Sequence, residues 1–217
     1  MTDYPLQCGY WFNVVNGQIV GWQNGAPFPQ GTPIATVRGA GWFPGVQVGI
    51  DAGADPEVYQ AALQSQVLTG DIVTMTYTME PQPLEPAKKA QIEAVSAGCK
   101  AAIYGGFSSS ALGEAYTYPT GDLDQLNLLG AYSASLNPAN QTSWTTKFIC
   151  ADSVGNWAYR VHNAPQIQKV YLDGVNAKLA YLTQNAELAT QINAINDTSA
   201  AGLQAVLAIV WVPPAVV

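Results

Sequence analysis

The chain has 217 residues, of which 48% are apolar and 11% are charged, and its eight basic and fifteen acidic side chains give a net charge of −7 at pH 7. This acidic balance argues against nucleic-acid binding, because a phosphate backbone would be repelled overall. The charged fraction is less than half of the roughly 25% usual for soluble domains, which favours a surface held against other proteins over that of a lone cytosolic enzyme.

The cysteine and histidine content predicts no metal site, no disulfide framework and no other cofactor. Cys8, Cys99 and Cys150 are odd in number, match no zinc spacing and accompany a single histidine, so reduced, buried thiols are expected. No basic segment followed by an apolar run opens the sequence, and no run reaches the about 18 apolar residues that span a bilayer. We therefore expect cytoplasmic synthesis without a signal and no membrane insertion.

Residues 1–80 are predicted to form a β-rich module. Asn16-Gly17 lies between two apolar pairs, and this dipeptide is the strongest short hairpin signal because both central residues of a type I′ turn need positive φ. Further strands are predicted at Ile34–Val37, Val46–Ile50 and Ile72–Thr78.

One helix is expected inside this module. Asp55, Pro56 and Glu57 supply an N-cap, a proline at the first helical position and a first-turn acid, so a short helix is predicted over Val58–Leu68.

Residues 81–86 contain three prolines and are predicted to be an extended connector, since proline removes a backbone donor and restricts the residue before it. The predicted domain boundary falls here, between the 1–80 module and a domain over 87–217.

The second domain is predicted to begin with two helices. Ile92, Val95, Cys99 and Ile103 recur at helical spacing, and Gly105-Gly106 ends this helix. A second helix follows Gly121, with acids at its front that complement the helix dipole. Its predicted apolar face consists of Leu123, Leu126, Leu129, Tyr132 and Leu136.

A β-hairpin and one long helix are predicted to follow. Apolar runs at 148–151 and 157–161 flank a turn at 153–156. Asn163 then caps, and Pro165 starts, a helix that runs to about Ile195. A short helix and a strand that stops at Pro213-Pro214 are predicted to end the chain.

The long helix carries two apolar stripes, so two packing partners are expected. One stripe is Ile167, Val170, Gly174, Ala177, Tyr181, Leu188, Ile192 and Ile195, and the other is Leu172, Val175, Leu179, Leu182, Ala186 and Ala189. Either the helix is enclosed in its own domain, or one stripe meets another chain in a trimeric or coiled assembly. The predicted fold class is α+β, with a β-rich N-terminal module before a helical domain that contains a hairpin and one long helix.

Several ordered motifs lie between about Pro86 and Trp211. They are CKAAI at 99–103, GFSSSALG at 106–113, YTYP at 116–119, DQLNL at 124–128, WTT at 144–146, CAD at 150–152, WAYR at 157–160, His162, and QIQ at 166–168. Together they resemble an uncharacterised domain family found at the C-terminal end of phage and prophage tail proteins. Tyr116 stands where that family is expected to have histidine, and Val161 where it often has proline.

The resemblance implies a non-enzymatic structural component of a bacteriophage tail, in the virion and associated with the tail fibre or baseplate. The expected partners are other tail proteins, in an oligomer that follows tail symmetry. Two alternatives remain open at this point: a tail-fibre assembly chaperone, and a module that binds a host-surface carbohydrate or receptor through exposed aromatic side chains.

The candidate contacts with a partner or receptor are aromatic and basic side chains of the second domain, because exposed Trp, Tyr and Arg are enriched in interfaces. They are Trp144, Trp157, Tyr159, Arg160, Tyr116 and Tyr118. Trp11, Trp22 and Trp42 of the first module are interpreted in the same way.

Structural roles are expected for the residues that could suggest chemistry. His162 is expected to donate to a local carbonyl, and Asp152 to form an Asx turn. Arg160 is expected to form an ion pair or to stack on Trp157 or Tyr159. A Cys150–His162 nucleophile pair is not expected, because the thiol lies in an apolar strand. No carboxylate pair for glycan cleavage is apparent.

Overall fold

The computed structural model describes residues 9–29, 32–137, 139 and 143–215. These residues form two compact units. The first unit contains the described residues up to Gln82 together with Thr198–Leu203, and the second begins at Pro83 and contains the rest.

The first unit is built on a five-stranded sheet in the order β2-β1-β3-β5-β4. Its elements are β1 (Tyr10–Val15), β2 (Gln18–Asn24), α1 (Ile34–Gly39), β3 (Trp42–Val48), β4 (Tyr59–Thr69) and β5 (Ile72–Pro81). Neighbouring strands are antiparallel except for β3 and β5, which are parallel. Phe12, Val14, Val73 and Met75 are buried together as its core.

The first hairpin forms as predicted. Asn16 and Gly17 have φ values of 51° and 78°, so both central residues adopt the positive φ that a type I′ turn requires. The strand predicted at Ile72–Thr78 is confirmed as β5.

Two predictions for the first unit are wrong. Ile34–Val37 lies in the short helix α1, which begins directly after Pro33. Val58–Leu68 does not form a helix, because Asp55 closes only one turn and the chain then enters β4. The backbone of β4 pairs with β5 from Tyr59 to Thr69, and this long ladder outweighs the local helix signal.

The strand predicted at Val46–Ile50 lies earlier in the chain than expected. β3 starts at Trp42 and ends at Val48, before Gly49 with its φ of 85°.

The prolines of residues 81–86 are divided between two elements, since Pro81 ends β5 and Pro86 lies in the first turn of the next helix. A first-turn residue has no intrahelical partner for its N–H, so proline costs little there.

The second unit combines helices with a four-stranded antiparallel sheet in the order β6-β7-β8-β9. Its elements are α2 (Leu84–Tyr104), β6 (Phe107–Ser109), β7 (Tyr116–Tyr118), α3 (Asp122–Ser135), β8 (Thr145–Ala151), β9 (Trp157–Asn163) and α4 (Ala164–Ala194), and α5 (Ala200–Leu207) comes after them in the chain. The mixed α+β class, with a strand-rich beginning and a long helix near the end, is confirmed.

The helix α4 organises the second unit, since α2, α3, β6 and β9 all contact it. Its first predicted stripe is largely buried: Ile167, Val170, Ala177 and Ile192 expose 2% or less of their surface. The second stripe is exposed at Leu172, Val175, Leu179 and Leu182.

Two further predictions for the second unit are corrected. The buried leucine of α3 is Leu128, whereas the residues predicted as its core face include the exposed Leu123, Leu126, Leu129 and Leu136. The chain at 209–212 forms no strand. It is held against α2, where Gln91 Nε2 donates to the Ile209 carbonyl at 2.7 Å and the Trp211 side chain covers Gly98.

Asn163 caps α4 as predicted, and the structure adds a reciprocal capping box with Gln166. Asn163 Oδ1 accepts from the backbone N–H of Gln166 at 3.0 Å, and Gln166 Oε1 accepts from that of Asn163 at 2.9 Å. We expect Asn163→Ala to lower the free energy of unfolding by about 1 kcal/mol, because it removes one cap. Urea denaturation measures this. Asn163→Asp, which keeps the cap acceptor, is the control, and an equal loss in both variants would contradict the capping role.

Candidate functional site

The outer face of the second sheet, directed away from α4, displays a row of large side chains on β9. Trp157, Tyr159 and Val161 alternate along the strand and are 51%, 70% and 55% exposed. Ile149, opposite Tyr159 in the β8–β9 register, extends the row onto β8. Because side chains directly opposite in a sheet share a face, these four form one surface, which we call the aromatic strip.

The inner face of the same sheet is closed. Phe107, Tyr118, Phe148 and Cys150 are buried with residues of α3 and α4 in one core. Tyr118 stacks on Phe107 with 5.5 Å between ring centroids. A partner can therefore approach this sheet only from its outer face or its edges.

A buried polar pair lies inside this core. The Tyr118 hydroxyl and His162 Nε2 are 2.8 Å apart, and both residues are 0% exposed. His162 Nδ1 lies 2.9 Å from the Arg160 carbonyl oxygen, which can only accept, so Nδ1 carries the proton. Nε2 of the neutral ring is then the acceptor, and the Tyr118 hydroxyl donates to it. Both ring nitrogens are satisfied within the protein.

Burial shifts the titration of both members of this pair. Desolvation lowers the pKa of His162 below its ordinary value, although the hydrogen bond to the Arg160 carbonyl opposes the shift. Burial raises the pKa of the Tyr118 phenol well above its usual range. The pair is therefore neutral at physiological pH.

Arg160 connects the Tyr118–His162 pair to the turn between β8 and β9. Its guanidinium donates to the Cys150 carbonyl at 2.6 Å and lies 3.4 Å from the Asp152 carboxylate. It also covers the Tyr116 ring at 4.6 Å from the centroid. The predicted ion pair is thus present, but the stacking partner is Tyr116 and not Trp157 or Tyr159.

Asp152 forms the expected Asx turn. Its Oδ1 accepts from the backbone N–H groups of Asn156 at 2.9 Å and Val154 at 3.1 Å. These bonds, that of Asn156 foremost, lower the pKa of the carboxyl group. The turn places Trp157 at the start of β9 and so fixes one end of the aromatic strip.

The geometry gives these residues a structural role. His162 donates to a local carbonyl, as expected, and its other nitrogen is occupied by Tyr118, so neither nitrogen can activate the Cys150 thiol. Since His162 has no exposed surface, it cannot reach a substrate as a general base. Among the described residues no group of three or more His, Cys, Asp or Glu side chains could hold a metal ion.

The predicted contact residues fall into three groups by exposure. Trp157 and Tyr159 are exposed on the aromatic strip. Tyr118 is completely buried and has no surface to offer a partner, so it cannot make the predicted contact. Trp144 and Tyr116 are half-buried against the core, and Arg160 is engaged internally. Val161 and Ile149 were missed, because an aliphatic residue in a strand gives no signal that distinguishes surface from core.

In the described part of the chain, no helix is both long and apolar enough to cross a membrane.

The second unit is a helix-and-sheet domain with a closed core and an exposed aromatic surface. The family model that matches is a domain of unknown function, DUF4376, over residues 86–207. The chain belongs to this family. No curated protein and no solved structure matches it.

Proposed function

We propose that the chain is a non-enzymatic structural component of a bacteriophage tail, associated with the fibre or baseplate and held in a multi-protein assembly in the virion. The observation that carries this proposal is the aromatic strip, where Trp157 and Tyr159 expose 51% and 70% of their surface on the β8–β9 hairpin. Large aromatic side chains on a fixed scaffold are the usual anchors of protein interfaces. The motif resemblance to tail proteins supports the choice of a phage tail as this assembly.

Two features support a holding role over turnover. Only 11% of the residues are charged, so the surface carries few of the solvated groups that keep a free protein apart from others. The titratable cluster nearest the aromatic strip is saturated with internal hydrogen bonds. An exposed aromatic surface and a closed core together support the proposal of a component that is fixed in place.

The first test is the location of the chain. Mass spectrometry of purified particles is expected to find it at a fixed stoichiometry, and cryo-electron microscopy to place it in the tail. Absence from mature particles would reject the virion assignment. If its removal also lowers the yield of soluble fibre, the chain would instead act as a fibre assembly chaperone.

The second test addresses the aromatic strip. Trp157→Ala with Tyr159→Ala is expected to reduce incorporation into particles at least tenfold, because two interface anchors each contribute about 2 kcal/mol or more. Quantitative mass spectrometry of particles from a complemented deletion measures this. Val20→Ala, an exposed position in the first unit, is the control. Unchanged incorporation of the double variant would remove the strip from the proposal.

A role in receptor binding has its own supporting observation. Trp22 and Val20 are about 60% exposed on the same face of β2, at the edge of the first sheet, while Trp11 is buried. Exposed tryptophan is suited to stack on a sugar ring or to contact a receptor. Trp22→Ala should then abolish binding to host cells without changing incorporation into particles.

A further inference from the structure

The exposed stripe of α4 belongs to a wider apolar face. Leu172, Val175, Leu179 and Leu182 are between 43% and 60% exposed. On α3, the leucines at 123, 126 and 129 are between 44% and 74% exposed. Val175 and two of these leucines, Leu126 and Leu129, line one groove of about 340 Å³ between the helices, so both sets are continuous. We call these seven residues the α3/α4 face.

This face is large enough to contribute most of a dimer interface. Its exposed fractions add up to nearly four whole side chains. At roughly 120 Å² of apolar surface for each, this is on the order of 450 Å². A stable interface buries about 800 Å² per partner, and more than half of its buried area is apolar. The apolar area of the α3/α4 face is therefore close to the apolar area that an interface with a second copy would bury.

The spacing along α4 makes the stripe self-complementary. Its four residues are separated by three, four and three positions, which reads the same in both directions. When two copies of α4 lie antiparallel and cross between Val175 and Leu179, Leu172 of one copy meets Leu182 of the other, and Val175 meets Leu179. For residues on this stripe, the two numbers of each facing pair add to 354. A two-fold axis produces this kind of reciprocal pairing.

Charges do not oppose this arrangement. Between residues 170 and 185 the helix carries only Asp173 and Lys178. Asp173 is engaged with Lys169 at 2.9 Å and with the Ser109 hydroxyl, while Lys178 donates to Gln125 Oε1 at 3.1 Å. Asp173 lies off the exposed stripe, on the side of α4 that contacts Ser109. Lys178 lies at the margin of the stripe, and in the antiparallel register it is level with the uncharged Asn176 of the second copy. The pairing of α4 with α4 therefore brings no like charges of this helix together.

We propose that the α3/α4 face binds a second copy of the chain through antiparallel, two-fold pairing of α4. The pairing does not depend on the tail assignment, since it uses only this chain.

The mass of the purified full chain tests the pairing. Sedimentation equilibrium at micromolar concentration is expected to give twice the monomer mass of 23.0 kDa. Leu179→Glu is expected to weaken association about thirtyfold or more, since it puts a charge at the centre of the interface. Its circular dichroism should remain native, because Leu179 is 60% exposed in the single chain. Val154→Glu, at a site on the β8–β9 turn that is 78% exposed, should leave the mass unchanged.

Disulfide trapping tests the direction. A mixture of Val175→Cys chains and Leu179→Cys chains, each in a Cys8→Ser background, should form a mixed disulfide, because the paired Cβ atoms would approach the roughly 3.8 Å that this bond requires. Cys99 and Cys150 are buried. A monomer, a trimer, or disulfides that join Val175→Cys chains to each other, as parallel helices would allow, would each overturn the proposal.

Discussion

Replacing Tyr118 with alanine is expected to lower the free energy of unfolding of the second unit by about 3–5 kcal/mol. Two losses combine in this variant. The ring is 0% exposed and packs on Phe107 and Phe148, so its removal leaves a cavity in the core. The hydroxyl also satisfies His162 Nε2, and that nitrogen would be left as a buried acceptor without its donor. Such a loss is a large share of the 5–15 kcal/mol that stabilises a typical domain.

Tyr118→Phe separates the two losses. It keeps the ring and removes only the hydroxyl, so about 1–3 kcal/mol is expected, the cost of a buried polar group without a partner. Tyr159→Ala is the matched control, because this tyrosine is 70% exposed and its loss should change the stability by about 0.5 kcal/mol or less. Urea denaturation of the three variants measures these values. Equal effects of Tyr118→Ala and Tyr159→Ala would contradict the central position of Tyr118.

The features that the sequence predicts well are those fixed by a few neighbouring residues. The Asn16-Gly17 turn depends on the φ preference of two residues, and the start of α4 depends on the cap residue Asn163 and on Pro165 just after it. Helices α2 and α4 follow from regular apolar spacing over many turns. In each case local preference and tertiary structure agree.

The missed features depend on contacts between distant parts of the chain. β4 is a strand because it pairs with β5 along its whole length. The two residues between these strands, Gly70-Asp71, are a hairpin signal, and this signal conflicts with the helix signal at Asp55. The leucine spacing of α3 predicts an apolar face, but only packing against α4 decides that Leu128 is the buried residue.

The candidate site shows the same division. A row of aromatics on β9 is visible in the sequence, but its exposure is decided by which face of the sheet α4 covers. Tyr118 and His162 are 44 positions apart, and no periodicity links them. Tyr116 and Tyr118 alternate on β7, yet one lies under Arg160 and the other is fully buried. Residue type alone therefore could not assign the contacts.

Acidification is expected to destabilise the second unit through His162. Burial lowers the pKa of this ring in the folded chain, whereas in the unfolded chain it titrates near its ordinary 6.5. Below about pH 6.5 the unfolded chain therefore binds a proton that the folded chain excludes. The stability that the neutral ring provides is complete above that pH and is lost as the pH falls towards the lowered pKa. The slope is at most about 1.4 kcal/mol per pH unit.

The pH window of this effect identifies its source. His162 is the sole histidine of the chain, so no other imidazole titrates between pH 5.5 and 7.5. The nearby Asp152 stays ionised there, because its pKa is lowered from 3.8. Urea denaturation across this range should show falling stability for the wild type and a nearly flat profile for His162→Gln, which removes the titrating group at some cost in stability. Parallel profiles for the two chains would mean that the proton is taken up elsewhere and that the buried ring does not control acid stability.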